Sequence, residues 1–473
     1  MLFNSLTFLL FLGVVLVLMR IRNHAAQNWI LVASGIFFYG WWDWRFLGLL
    51  FFTSGIDYIV AQGIEDSSVP SDRWRWLLLS LGANLGVLAF FKYSNFFLDN
   101  VAGLLASVGL NMPHTMLTVV LPVGISFYTF QAMSYTIDVY WSRQQACRGL
   151  RDYLLYISFF PQLMAGPIER AGTMLPQYRS ERRITSEDVA EGFYLVLWGF
   201  CKKVVVADNL GLKVDRIFAQ ANFSTADVVL GALGFAFQIY ADFSGYTDIA
   251  RGVARWLGIR LTLNFDHPYF SANPQEFWRR WHISLSTWLR EYLYIPLGGN
   301  RGSETRTYWN LMVTMLLGGL WHGAAWNFVF WGAYQGLLLG VHRFYNAKLK
   351  PLLPASKNSI LRFMGWALSV TVMFMFVLYG WLLFRVHGLG QFSATMTALW
   401  HWNLDPDFPS RLSAFLPYIL LVCAVDSVTF FTGDVWFFAR RDPVITALFY
   451  LFLFYTILIL GVAGGSQFIY FAF

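Results

Sequence analysis

Charge is what this chain has least of. Asp, Glu, Lys and Arg make up only 13% of its 473 residues, about half the share of a soluble domain, which excludes that class. Cysteine is scarce too: Cys147, Cys201 and Cys423 stand singly, with neither metal-ligand spacing nor the even set a disulfide framework needs. There is no CxxC, no GxSxG and no P-loop to suggest a dithiol site, a serine hydrolase or a nucleotide hydrolase. The alternating pattern of a β-barrel is missing as well, because the apolar runs are continuous. The net charge of +7 is modest, marks loops rather than nucleic-acid binding, and leaves nucleic acid out of the expected partners.

What is present is grease. Hydrophobic residues reach 57%, with 21 Trp and 23 Tyr, and the mean hydropathy is +0.50. With no water in a bilayer core to satisfy backbone groups, such runs must be helices. The expected fold is all-α: a polytopic membrane protein of about 11 transmembrane helices plus re-entrant segments, forming a single domain over residues 1–473. The first run, 2–19, lacks a basic region before it and a small-residue cleavage site after it, so it reads as a retained span. Candidate spans include 117–141, 228–240, 248–257, 281–297 and 309–320, while 95–110 and 159–168 look re-entrant or buried in protein. Basic clusters at 170–183, 301–306, 343–362 and 440–441 belong in the cytoplasm by the positive-inside rule. That orientation puts the N-terminus, a loop at 389–411 and the C-terminus outside.

Chemistry concentrates in 275–331. His322 follows a short apolar run, and the fourteen residues 307–320 reach about 21 Å as helix, short of a hydrocarbon core of about 30 Å. Trp321-His322-Gly323 is therefore expected at a break inside the membrane, with Gly318, Gly319 and Gly323 leaving room for a ligand or for close helix packing. An intramembrane histidine is functional by default, the plainer alternative being a structural hydrogen bond to a neighbouring helix. Trp278, His282, Ser286 and Arg290 follow at four-residue steps, so one continuous helix would put them on one face, as a pocket wall requires. Arg279 and Arg280 need carboxylates, phosphates or headgroups, Glu276 and Glu291 being local choices. If the segment is merely interfacial, they snorkel. Asp242 and Asp248 in an apolar setting also need partners, and Arg251 can meet Asp248 at i+3. The Gly166-Pro167 break beside Glu169 and Arg170 either shapes a pocket mouth or ends a helix.

FWRRWHISLSTWLREYLYIPLGGNR followed by LLGGLWHGAAW resembles the membrane-bound O-acyltransferase family, in particular its bacterial alginate O-acetylase and teichoic-acid D-alanyl transfer branch. ADFSGYTDIA, AGPIER and LPVGISFYTF are similar to that branch too, and the likeness runs over about 121–345. The resemblance implies a funnel of helices around a central tunnel, an essential histidine at His322, and a second polar residue at His282. It implies no bound cofactor, and acetyl-CoA as donor substrate entering from the cytoplasm of a bacterial inner membrane. An acceptor hydroxyl then meets the donor at His322, and the acetyl group ends up on an exported polysaccharide, alginate first and cellulose second. Periplasmic or membrane-anchored acetyltransferases and the lipid bilayer are the partners. On this reading His322 is the general base, imidazole being suited to that task near neutral pH. His282 orients the acceptor or polarises the thioester carbonyl. Trp278, Ser286, Trp321 and Asp242 line the site, and Arg279, Arg280 and Arg301 hold CoA phosphates at the cytoplasmic mouth. A transporter or a non-catalytic export scaffold would carry polar residues in broken helices as well.

Overall fold

A computed structural model describes residues 1–110, 120–164, 166–352, 357–462, 464 and 468–469. The regular structure among them is helical throughout. The chain packs as two compact units, residues 1–189 with 253–262, and residues 190–252 with 263–473.

The first unit carries α1 (Leu6–Leu18), α2 (His24–Asp43), α3 (Arg45–Asp66), α4 (Pro70–Leu88), α5 (Ser94–Ser107), α6 (Ile125–Tyr140), α7 (Leu150–Ser158), α8 (Phe160–Leu163) and α9 (Ala171–Arg179). Its interior is not wholly apolar. Asp57 of α3 accepts hydrogen bonds from Ser80 at 2.5 Å and Asn84 at 2.9 Å on α4, and Thr136 of α6 lies 2.9 Å from Ser80. Buried polar groups that satisfy one another in this way hold helix register where hydrophobic contact alone is indifferent. A π turn at Ala89–Tyr93 joins α4 and α5 into one helix, Pro70–Ser107. Residues 95–107 of the expected re-entrant segment thus continue the helix begun by α4, because no proline falls between 71 and 110 to stop it. The predicted span 117–141 yields α6, which starts only at Ile125, after Pro122 and a left-handed Gly124 at φ +77°; residues 117–119 lie outside the described residues. Residues 159–168 are buried, one of the two expectations for them, and fold as the short helix α8 followed by irregular chain, residue 165 lying outside the described residues. There Glu169 accepts from the Thr262 amide at 2.7 Å and its hydroxyl at 3.0 Å, so that carboxylate pins a loop.

The second unit is built from α10 (Ser186–Phe200, from residue 190), α11 (Asp208–Phe218), α12 (Thr225–Trp256, to residue 252), α13 (Pro274–Arg280), α14 (Ile283–Leu289), α15 (Glu304–His322), α16 (Trp326–Phe344), α17 (Ser359–Arg385), α18 (Gly388–His401), α19 (Phe408–Ser413), α20 (Leu416–Thr432) and α21 (Pro443–Leu460). α12 replaces two predicted spans, 228–240 and 248–257, with one helix of 32 residues whose apolar window is 89% buried. The polar stretch between them does not break it because its charges are matched. Lys203 lies 2.8 Å from Asp242 and 2.9 Å from Asp208, while Asp248 meets Lys202 at 2.6 Å and Arg251 at 2.9 Å. Paired ions can be buried where single ones cannot. Backbones also approach closely here: a Cβ on Gly245 would meet the Gly199 carbonyl oxygen at 2.8 Å.

Among the described residues, five helical stretches are long and apolar enough to cross a membrane: α3, the α4–α5 helix, α12, α17 and α21, with α1 and α20 shorter. α21 is the opposite of α12, with 6% of its window buried, as suits a helix facing lipid. The predicted outside loop 389–411 is largely helical, because it contains α18 and most of α19.

Candidate functional site

α15 begins when the Ser303 side chain caps the Arg306 amide at 3.2 Å, three residues before the predicted start. It ends at His322, where Gly323 is extended. The expected break is therefore present, and α16 restarts three residues on and folds back against α15. A Cβ on Gly319 would meet the Phe328 carbonyl oxygen at 2.2 Å, and one on Gly332 would meet that of Met315 at 2.4 Å. Gly319 and Gly323 serve helix packing rather than a ligand; the latter's missing Cβ would sit 2.0 Å from the Phe328 ring. This hairpin holds His322, 4% exposed, among aromatic rings. Trp331 of α16 is 5.0 Å away edge-on, Phe384 of α17 is at 5.4 Å, and Trp321 is at 5.1 Å.

His282 is reached through Trp321, whose indole centroid is 6.0 Å from its ring. The two histidines, forty positions apart in the chain, flank one tryptophan. The continuous helix expected over 276–294 is corrected by the structure: α13 stops at Arg280, His282 takes φ +42°, and α14 starts at Ile283. A left-handed non-glycine residue interrupts the helix, so Trp278, His282 and Ser286 do not share one helical face. His282 turns inward, fully buried, with Phe243 4.6 Å away in an edge contact and its Nδ1 3.2 Å from Asn264 Oδ1. Trp278 and Ser286 instead line a cleft of about 390 Å³, together with Arg279, Arg290, Thr314 and Met315. Trp278 touches Trp331 at 5.8 Å, so Trp331 connects the cleft wall to His322. A second, apolar groove of about 570 Å³ is lined by Trp326, Asn327, Phe330, Leu383 and Leu389. Asn327 donates to the Phe384 carbonyl at 2.9 Å, which makes Phe384 the corresponding connection on that side. His322 itself lines neither cavity.

The cations divide. Arg279 is exposed and shares the cleft with an adjoining polar recess of about 500 Å³, which also holds Arg280, His342 and Lys350. Arg280 is bound to Glu276 at 3.1 Å and lies 3.7 Å from Asp266, and so is already neutralised. Arg301 is exposed in the turn after Gly299 and lines neither the cleft nor the recess. Asp242, expected beside the histidines, is held by Lys203 and accepts from the Ile469 amide at 2.7 Å. Its α12 neighbour Phe243, not Asp242, reaches His282.

A model of the membrane-bound O-acyltransferase family matches residues 148–384. Over 447 residues the chain is 40% identical to the probable alginate O-acetylase AlgI of Pseudomonas syringae pv. tomato, covering 93% of this chain and 83% of that one. The chain belongs to the membrane-bound O-acyltransferase family. The peptidoglycan O-acetyltransferase of Helicobacter pylori is 36% identical over 406 residues, covering 80% of this chain and 75% of that one. The teichoic acid D-alanyltransferase of Bacillus subtilis is 28% identical over 293 residues, covering 58% and 70%. This protein is thus a multi-pass membrane O-acyltransferase. Sequence reading missed three residues of its histidine pocket: Asn264, Trp331 and Phe384. Trp331 and Phe384 gave no signal beyond aromaticity in an aromatic-rich chain, and Asn264 stands in an irregular stretch where no periodicity marks it.

Proposed function

We propose that this acyltransferase takes acetyl from acetyl-CoA at the cytoplasmic face of a bacterial inner membrane and passes it, by way of an acceptor hydroxyl at His322, across the membrane for O-acetylation of an exported polysaccharide. Alginate is the first choice of polymer and cellulose the second. The observation that carries the reading is the placement of His322 and His282 on either side of Trp321, at the ends of two interrupted helices, between a polar-mouthed cleft and an apolar groove. The 40% identity to a probable alginate O-acetylase over nearly the whole chain supports the choice of reaction.

In this reading the acceptor oxygen attacks the thioester carbonyl while His322 removes its proton. The tetrahedral species then collapses, the C–S bond breaks, and the departing thiolate takes the proton. His282 orients the acceptor or polarises the carbonyl. The donor's chain lies in the cleft past Trp278 and Ser286, with Arg279 and Lys350 at its polar end for phosphates. The acceptor approaches by the groove beside Trp326, and periplasmic or membrane-anchored acetyltransferases carry the group onward.

The test is acetyl content of the exported polymer, with membrane levels of the protein checked in parallel. His322→Ala and His322→Gln should each lose about 10²–10⁴-fold in transfer while inserting normally. Near-normal acetylation in either variant would refute the assignment and favour a scaffold. Normal acetylation of peptidoglycan instead of the exported polymer would move the acceptor to that class.

A further inference from the structure

Asn264, 1% exposed, lies in the irregular stretch between α12 and α13. Its side-chain oxygen accepts from the Ser284 amide at 3.1 Å and the Ser284 hydroxyl at 3.0 Å, and lies 3.2 Å from His282 Nδ1. Its backbone oxygen accepts from the Ile283 amide at 2.9 Å. One asparagine thereby gathers residues 282–284 and holds His282 in its left-handed conformation.

The chemistry of these contacts settles the direction of the hydrogen bond to the imidazole. The two ends of an amide are not told apart by shape, but a backbone N–H can only donate. The atom facing Ser284 N is therefore the oxygen. An amide oxygen has no proton to give, so Nδ1 of His282 is the donor. The partner is a neutral amide and the neighbouring rings are aromatic, which favours the uncharged imidazole. An uncharged imidazole has one N–H, and with Nδ1 holding it, Nε2 carries the lone pair.

We propose that Asn264 is a positioning residue that holds His282 in the Nδ1–H tautomer, making Nε2 a hydrogen-bond acceptor for a second O–H or N–H of the incoming acceptor, beside the hydroxyl that His322 deprotonates. It decides between the two roles left to His282: a nitrogen with a lone pair orients the acceptor by receiving a hydrogen bond from it and cannot donate to the thioester carbonyl. The inference rests on the reading of His282 as part of the site.

The experiment measures transfer from radiolabelled acetyl-CoA into alkali-labile ester in inside-out vesicles bearing the full chain. Asn264→Leu keeps the volume and removes the oxygen. Its kcat should fall by roughly 10²-fold, the scale of a misplaced reacting group, with KM for acetyl-CoA little changed. In a His282→Ala background the same substitution should cost less than about threefold more, because both changes remove one function. Asn264→Asp offers only acceptor oxygens to Nδ1, as the carboxylate of a catalytic triad does, and should restore most of the activity. Wild-type kcat in Asn264→Leu, or full multiplicative losses in the double variant, would overturn the proposal. So would an inactive Asn264→Asp present at normal membrane levels, and that variant decides alone if Asn264→Leu fails to insert. Wild-type activity in His282→Ala is a different result: it removes His282 from the site, and Asn264 with it.

Discussion

Adding one methyl group to Gly319 probes the link between packing and chemistry. The new Cβ would lie 2.2 Å from the Phe328 carbonyl oxygen and 3.2 Å from the Gly332 Cα, both backbone atoms of α16. A real Cβ essentially never comes within 3.0 Å of a non-bonded heavy atom, so the backbones must separate by at least about 0.8 Å, and overpacking of this kind costs about 1–3 kcal/mol. His322 is three residues further along the same helix and would move relative to Trp331 and Phe384. A shift near 1 Å in a reacting group costs on the order of 10²-fold in rate. Gly318→Ala is the internal control. Its Cβ would meet only the Leu289 Cδ1, at 3.1 Å, the end of a flexible side chain that can turn away. Acetyl transfer in vesicles and the midpoint of heat-induced aggregation in detergent should both drop for Gly319→Ala and stay near wild type for Gly318→Ala. Equal behaviour of the two variants would refute the claim that the α15–α16 approach sets the position of His322.

Two further outcomes are expected. Lys203→Met leaves Asp208 and Asp242, 1% and 4% exposed in their side chains, without their shared cation, and should destabilise by about 3–5 kcal/mol, whereas adding Asp208→Asn and Asp242→Asn should recover much of that loss. Removing the exposed Arg45 from Asp43 should cost under about 1 kcal/mol, and a Lys203 variant no worse than this in detergent melting would show that the cluster is not a structural tie. After replacement of the three native cysteines, a membrane-impermeant maleimide should label Thr287→Cys in the cleft from the cytoplasmic side and Leu389→Cys in the groove from the opposite one. Labelling of both from a single side would contradict the two-mouthed arrangement.

The residues alone determined what the solvent and the backbone impose. A chain with so few charges and such long apolar runs has to fold as helices in a bilayer, and a helix that reaches Gly323 beside a polar His322 has reason to stop there. Local pairing was legible as well: Asp248 and Arg251 at i+3 are neighbours in any helix that contains them. Tertiary structure decided everything that depends on elements far apart in sequence. Residues 241–247 looked like a gap between two spans because Lys202, Lys203 and Asp208 lie about forty positions upstream, and only packing brings their charges to α12. The stripe from Trp278 to Arg290 assumed a continuous helix, which the left-handed His282 interrupts. That conformation is unfavourable for a non-glycine residue by itself, and it persists because Asn264, eighteen positions away, binds both sides of the turn. Side-chain capture across such a distance leaves no period in the sequence. Which side chain holds His282, and which rings enclose His322, therefore become visible only once the helices are packed.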